Sequence, residues 1–127
     1  MSTQKSAPRA VTINTLQSMK QKGEKFTCLT AYDYCSAHAA SSAGIDVILI
    51  GESLGMVIQG HDSSLPVTIG DVAYHVKCVK RGTRYSLLMA DLPFMSFYNE
   101  MQTMESAATL MREGAQIVNL EGGAWLA

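Results

Sequence analysis

The chain has 127 residues, 47% of them hydrophobic, which is enough apolar material for one domain with its own core. Ten basic and eleven acidic residues give a formal net charge of -1 and are scattered rather than clustered, which excludes the basic surface of a nucleic-acid-binding protein. No stretch approaches the roughly 18 consecutive apolar residues of a membrane span. We therefore expect a cytoplasmic protein with neither nucleic acid nor membrane as a partner.

The expected organisation is a flexible N-terminus over residues 1–10, followed by a single domain over residues 11–127. Three cysteines, Cys28, Cys35 and Cys78, form no CxxC pair, so neither a disulfide framework nor a zinc site is predicted. We expect these thiols to be buried or half-buried, as free cysteines usually are.

The first elements predicted along the chain are a lead-in helix, a strand and a second helix. Thr12 is a suitable N-cap for the first helix, and Gly23 follows its expected end. The short apolar run Phe26–Leu29 predicts a strand. The next helix begins after Asp33 and ends at Gly44.

The second unit repeats this order of strand and helix. Val47–Ile50 is a continuous β-branched and aliphatic run, typical of a strand that is buried on both faces. A glycine-rich turn, Gly51–Gly55, ends the strand. Thr68 and Asp71 are spaced like a capping box, with Asp in place of the usual Glu, and they predict a helix that ends near Gly82.

The last predicted elements are a third strand, a helix and a fourth strand. The third strand, Ser86–Ala90, stops before Pro93, because proline cannot continue the ladder. The helix is predicted at about Thr103–Glu113, and the fourth strand at Ile117–Leu120. Four apolar strands alternating with three crossover helices predict an α/β fold with a parallel sheet.

A carboxylate follows each of the four strands, namely Asp33, Glu52, Asp91 and Glu121. Asp33 stands at the expected start of its helix, which favours a capping role. The other three directly follow apolar strands and are separated from the next helix by several residues. Because the carboxyl ends of parallel strands open onto one face of a barrel, we predict that Glu52, Asp91 and Glu121 meet in a site there.

Seven segments of the chain resemble one enzyme family, the ketopantoate hydroxymethyltransferases, and they occur in the family's order. These segments are Thr30-Ala31-Tyr32-Asp33, Gly51-Glu52-Ser53-Leu54-Gly55, Gly60-His61-Asp62-Ser63, Leu65-Pro66-Val67-Thr68, Tyr74-His75, Ala90-Asp91-Leu92-Pro93-Phe94 and Glu121-Gly122-Gly123. The resemblance extends from about Val11 onward and corresponds to about the first half of a family member.

The resemblance implies a (β/α)8 TIM barrel of the phosphoenolpyruvate/pyruvate type, of which this chain contains about the first four βα units. It implies a transferase of pantothenate (coenzyme A) biosynthesis that moves a hydroxymethyl group from 5,10-methylenetetrahydrofolate to 3-methyl-2-oxobutanoate. The product is ketopantoate, and Mg²⁺ is expected to stabilise an enolate of the keto acid. The family forms homo-oligomers, typically decamers, so a homo-oligomer is expected here.

The resemblance also implies roles for five residues. Glu52 and Asp91 stand at the family's metal-binding carboxylates, and Glu121 stands at a further acidic position beside the metal. Glu52, Ser53, Asp91 and Asn119 are the expected substrate-binding residues, with Ser53 at a contact to the substrate carboxylate. Hard oxygen ligands of this kind suit magnesium, which needs only one or two protein carboxylates.

The sequence departs from the family pattern at two of these positions. The family usually has Asp where Glu52 stands and Lys where Asn119 stands. Glutamate has a longer side chain than aspartate, which changes the position of its carboxylate relative to a bound metal. Asparagine in place of lysine removes a cation that would pair with the substrate. These changes keep two alternatives open: a truncated, non-catalytic half-barrel remnant, and a related keto-acid lyase or transferase.

A third departure is length, since a complete barrel typically needs about 250 residues. The family's general base lies in the second half of the barrel, so no catalytic residue is assigned here, and the chain alone is expected to be inactive. In a half-barrel, inward-facing side chains such as Val47, Leu49 and Ile117 would lack the opposite wall.

Overall fold

The computed structural model describes residues 8–126. Its helices are α1 (Ile13–Gln21), α2 (Tyr34–Ser42), α3 (Leu54–Val57), α4 (Ile69–Gly82) and α5 (Glu100–Glu113). Its strands are β1 (Cys28–Thr30), β2 (Val47–Ile50), β3 (Leu87–Asp91) and β4 (Ile117–Asn119), and a 3-10 helix spans Ala124–Leu126. Residues 1–7 of the expected flexible N-terminus lie outside the described region. Between residues 8 and 126, no helix is long and apolar enough to cross a membrane.

The four strands form one parallel sheet in the order β1-β2-β3-β4, as the alternation of strands and helices predicts. The register pairs Leu49 of β2 with Met89 of β3, and Met89 with Ile117 of β4. Two residues further on, Asp91 lies beside Asn119. The carboxyl ends of β2, β3 and β4 therefore meet at one edge of the sheet.

The hydrophobic core lies between one face of the sheet and the helices. Ile48 and Leu88 are fully buried in a single cluster with Val76 of α4 and Leu110 of α5. Helix α4 is the centre of the helical layer, because it packs against both α2 and α5. This layer fixes the strands, and so it fixes the loops that follow their carboxyl ends.

The opposite face of the sheet is covered unevenly. Leu49, Met89 and Ile117 are half-buried there, which agrees with the expected lack of an opposite wall. Val47, however, is fully buried, so the expectation was wrong for this residue. The N-terminal segment lies near the start of β3, where the Val11 N–H donates to the Tyr85 carbonyl over 2.7 Å.

Several element boundaries differ from the sequence prediction: β3 is shifted by one residue at each end, β4 ends one residue earlier, and β1 and α5 begin at other residues. Strand β1 begins at Cys28 rather than Phe26, because the backbone and hydroxyl of Thr27 bond to the Asp46 carboxylate just before the strand. Helix α5 begins earlier than predicted, because the Asn99 side chain accepts a bond from the Gln102 N–H and caps it.

The cysteines are less buried than expected. Cys28 and Cys35 are exposed, and Cys78 is half-buried. For Cys28 the reason is its place on β1, which has a neighbouring strand on only one side among the described residues. The expected burial was therefore wrong for two of the three thiols.

Candidate functional site

Four of the predicted site residues line one small cavity at the carboxyl ends of the strands. These are Glu52 after β2, Asp91 at the end of β3, Asn119 at the end of β4 and Glu121 just beyond it. The cavity measures about 190 Å³, and Ser64, Leu65, Leu92, Phe94 and Phe97 complete its described lining. The structure thus confirms that the loops after different strands bring these residues together.

Asp91 is the hydrogen-bonding centre of this site. Its Oδ2 accepts a bond of 3.3 Å from the backbone N–H of Glu52, which ties the end of β3 to the loop after β2. Its Oδ1 accepts a bond of 3.0 Å from the Asn119 side-chain amide. Both bonds orient the Asp91 carboxylate, and a carboxylate still has lone pairs left for a further ligand.

The Glu52 carboxylate lies in a negatively charged and partly desolvated environment. Burial raises its pKa above the ordinary value, and the negative charges of Asp91 and Glu121 raise it further. The Ser64 hydroxyl opposes this shift by donating to Glu52 Oε1 over 3.4 Å. A bound cation would offset the repulsion between these carboxylates.

Ser53 lies beside this cavity rather than among its described lining residues. Its Oγ is 2.6 Å from the Tyr32 hydroxyl, which comes from the loop after β1. A methyl group at Gly51 would lie 3.2 Å from Asp91 Oδ2, 3.3 Å from Ser53 Oγ and 3.8 Å from the Tyr32 hydroxyl. Three oxygens from three different strand ends therefore face one point above Gly51.

Asp33 does not belong to this group. Its Oδ1 accepts a 2.8 Å bond from the Ser36 N–H, and its Oδ2 accepts a bond from the Ser36 hydroxyl. These bonds cap α2, and the backbone bond in particular lowers the pKa of the Asp33 carboxyl. The capping role predicted from its position is confirmed.

The site has the donor chemistry that magnesium prefers. Glu52, Asp91 and Glu121 offer hard carboxylate oxygens, and no basic side chain is among the described residues that line the cavity. Over residues 8–126, no three His, Cys, Asp or Glu side chains are arranged as a metal-binding cluster. Magnesium can bind through one or two carboxylates and water, so the residues fit the ion. Direct ligation by all three acids stays a prediction.

The structure adds residues to the site that were given no role from the sequence. Tyr32 bonds to Ser53, Ser64 bonds to Glu52, and Phe97 forms part of the apolar wall. Tyr32 lies two residues after the end of β1, close to the strand-end position that the four carboxylates share. A tyrosine there gives no charge signal, so only the coordinates distinguish it from a packing residue.

A family model described as ketopantoate hydroxymethyltransferase matches residues 10–127. The 3-methyl-2-oxobutanoate hydroxymethyltransferase of Shewanella oneidensis is 60% identical over 116 residues, which cover 91% of this chain and 44% of that protein. The enzyme of the same name from Pseudomonas fluorescens strain Pf0-1 is 58% identical over 118 residues, covering 93% and 44% respectively. The chain thus spans less than half the length of these relatives.

Solved structures with low sequence identity show the fold. A phosphoenolpyruvate phosphomutase from Streptomyces platensis subsp. rosaceus aligns with a TM-score of 0.68 at 16% identity, covering 83% of this chain and 36% of that one. A 2,3-dimethylmalate lyase, a member of the PEP mutase/isocitrate lyase superfamily, aligns with a TM-score of 0.65 at 18% identity, covering 89% and 41%. The four parallel strands therefore have the fold of part of a TIM barrel.

The family match covers nearly the whole chain, and it agrees with the acidic site at the strand ends. The segments that suggested the resemblance, including Gly51–Gly55 and Ala90–Phe94, form the loops around that site. The chain belongs to the ketopantoate hydroxymethyltransferase family.

Proposed function

We propose that this chain provides the metal-binding and keto-acid-binding part of a 3-methyl-2-oxobutanoate hydroxymethyltransferase. The reaction transfers a hydroxymethyl group from 5,10-methylenetetrahydrofolate to 3-methyl-2-oxobutanoate and gives ketopantoate. The observation that carries the proposal is the gathering of Glu52, Asp91, Asn119 and Glu121 around one cavity. Their common position after parallel strands is where barrel enzymes place their active sites.

In this proposal, Glu52 and Asp91 hold a magnesium ion, with Glu121 beside it. When bound, magnesium supplies Lewis-acid stabilisation for the negative charge that develops on the keto acid. A solved relative of the fold, a phosphonopyruvate hydrolase with a TM-score of 0.67 and 17% identity, was crystallised with oxalate and Mg²⁺. Oxalate is a small dicarboxylate, so that protein offers a precedent for a metal and a small acid on this fold.

The substrate contacts come from Ser53 and Asn119 together with the two metal-binding acids. The Asn119 amide donates to Asp91, so its first effect is to orient a metal ligand rather than to supply a positive charge. Ser53 offers a hydroxyl that faces the space above Gly51, where the substrate carboxylate can accept a bond. We assign the general base to the part of the relatives' length that this chain does not match.

The wider properties of the family belong to the same proposal. We propose a homo-oligomeric, cytoplasmic enzyme that takes the folate co-substrate from solution. The catalytic unit then includes this chain and the sequence that its relatives carry after the matched region. The chain by itself contributes the acidic half of the site.

A non-catalytic role is the second candidate, and one observation favours it. Asn119 and Glu52 are the two departures from the family pattern. The neutral amide of Asn119 donates to Asp91 Oδ1. A site of this kind binds its anionic substrate with less electrostatic help, because charged hydrogen bonds are roughly twice as strong as neutral ones. Measured turnover decides between the two candidates.

The test is a hybrid chain in which residues 1–127 precede the C-terminal part of the Shewanella oneidensis relative. Formation of ketopantoate is measured with magnesium, 3-methyl-2-oxobutanoate and methylenetetrahydrofolate, and Mn²⁺ binding is measured separately by electron paramagnetic resonance. Asp91→Asn is expected to abolish turnover and weaken Mn²⁺ binding at least tenfold, because it removes a ligand charge. Glu105→Gln, at an exposed acid on α5, is the matched control and should leave both unchanged. A folded hybrid that binds Mn²⁺ without turnover would favour the non-catalytic role.

A further inference from the structure

We propose that Tyr32 is a positioning residue that fixes the Ser53 hydroxyl for recognition of the keto acid. The inference rests on the proposed function, because it takes Ser53 as a substrate contact. It goes further by naming a residue on the loop after β1 that controls how Ser53 binds.

The geometry places the two hydroxyls in direct contact beside the acidic site. The Tyr32 hydroxyl and Ser53 Oγ are 2.6 Å apart, which is a short hydrogen bond between hydroxyl groups. Both lie within 4 Å of the position that a Cβ atom on residue 51 would occupy, and so does Asp91 Oδ2. Glycine at position 51 therefore leaves open the space that the three oxygens share.

Tyr32 is itself held firmly. Its backbone carbonyl is 2.8 Å from Nδ1 of His75, a residue of α4. Its ring meets the His75 imidazole edge to face, with the ring centroids 6.1 Å apart, and it packs against the hydrophobic core. Helix α4 is the central helix of the layer, so the Tyr32 hydroxyl has a fixed place relative to the strands.

The pairing determines what the two hydroxyls can offer to a ligand. Each hydroxyl has one hydrogen, and the bond between them uses one of the two. One hydroxyl hydrogen remains, and it can be donated to an anionic acceptor near Gly51. Tyr32 thereby restricts the rotation of Ser53, and a preorganised donor binds an anion better than a freely rotating one.

The neighbouring groups make this donor important for an anion in this chain. Glu52, Asp91 and Glu121 are acidic, and the Asn119 amide already donates to Asp91. The hydroxyl pair is therefore a neutral donor beside a negatively charged site. We infer that it contributes to the binding of the keto acid carboxylate rather than to the chemical step.

A double-mutant cycle in the hybrid chain tests the inference. Tyr32→Phe keeps the ring that packs on His75 and removes the hydroxyl, while Ser53→Ala removes its partner. Each single variant is expected to raise KM for the keto acid about tenfold, close to the lower end of the range for loss of one hydrogen bond to a charged group. Each should change kcat less than about threefold, because the contact acts on binding. The double variant should be no worse than Ser53→Ala alone, because the two residues act as one unit.

Tyr34→Phe is the matched control, since Tyr34 is 52% exposed and stacks on His38 away from this pair. It should leave KM and kcat unchanged. If Ser53→Ala raises KM and Tyr32→Phe does not, or if their effects multiply, the positioning role is overturned while the proposed function stands. If the parent hybrid neither binds nor converts the keto acid, the proposed function fails, and the inference fails with it.

Discussion

At the scale of single residues, Asp91 connects three strand ends. Its carboxylate accepts from the backbone of Glu52 and from the amide of Asn119, and its Oδ2 faces the same point above Gly51 as the Ser53 hydroxyl. Glu52 and Asn119, where the resemblance implies a departure from the family pattern, are therefore its immediate neighbours. Their effects should depend on each other, because residues in one hydrogen-bonded network rarely act independently.

Restoring the family's usual residues should improve the hybrid enzyme. We expect Glu52→Asp with Asn119→Lys to raise kcat and to lower KM for the keto acid several-fold. Aspartate restores the usual ligand length for magnesium, which tolerates metal–oxygen distances of only about 2.0 to 2.1 Å. The lysine adds a cation beside the substrate. Steady-state kinetics of both single variants and of the pair measure this effect.

The single variants serve as the controls for this experiment. Asn119→Lys alone should lower KM more than it changes kcat, because its charge acts mainly on binding. Unchanged kinetics in the double variant would show that Glu52 and Asn119 perform the family roles as they stand.

At the scale of elements, local sequence signals predicted most of the helices and strands. Thr68 and Asp71 form the capping box that begins α4, and Val47–Ile50 is strand β2 with the predicted bounds. The short helix α3 is not predicted from the sequence, which indicates a turn at Gly51–Gly55, because a four-residue helix that contains Gly55 gives too little periodicity. The structure shows why glycine is there: a Cβ at Gly55 would come within 2.4 Å of Val67.

The site was predictable where charge and strand position coincide, and less so elsewhere. Glu52, Asp91 and Glu121 could be placed because each follows an apolar strand. Tyr32 and Ser64 contribute hydroxyls through contacts between distant segments, 21 and 12 residues apart along the chain. Nothing in a local pattern reports such contacts, so these roles required the three-dimensional structure.

Helix α4 offers a matched pair of glycine substitutions. Gly82→Ala should destabilise the fold, because the new Cβ would lie 2.4 Å from the Tyr34 carbonyl oxygen, where α4 packs on α2. Gly70→Ala near the start of the helix meets only Thr68 Oγ1 at 3.6 Å, so it should stabilise by up to about 1 kcal/mol. Denaturant midpoints of the hybrid chain should shift in opposite directions. A stabilising Gly82→Ala would contradict the close packing of α2 on α4.

The cap of α2 should make stability depend on acid pH. The Ser36 backbone N–H chiefly lowers the pKa of Asp33 below 3.8, its ordinary value, so the unfolded chain takes up a proton first as the pH falls. The resulting stabilisation is present above this value and is lost as the pH falls through the folded-state pKa.

Asp33→Asn keeps a side-chain acceptor for the cap and removes the charge. The difference in unfolding free energy between parent and variant should therefore shrink on acidification, as urea titrations from about pH 6 to about pH 3 can measure. A difference that stays constant would contradict this account.

At the scale of the whole molecule, burial is uneven across the described sheet. Strands β2 and β3 lie in the middle and are largely buried, whereas all three residues of β1 are exposed. β1 and β4 each have one strand neighbour among the described residues. A closed barrel has no such edges, so the family fold requires further strands on both sides.

We expect the 127-residue polypeptide, expressed alone, to self-associate and to form no ketopantoate. Leu29 on β1 is 49% exposed and Phe26 is 43% exposed, and β1 is an edge strand among the described residues. Burying one such side chain is worth about 1.5 to 3 kcal/mol, and a whole domain has a stability of only about 5 to 15 kcal/mol, so association that covers them is favourable. Sedimentation velocity across a dilution series should show oligomers that persist at low micromolar concentration. Leu29→Lys should shift the distribution toward monomer, because a charge on an edge strand opposes edge pairing, while Lys77→Gln on α4 is the control. A parent chain that stays monomeric throughout would mean that the exposed edge is protected, and turnover by the chain alone would place a general base among these residues.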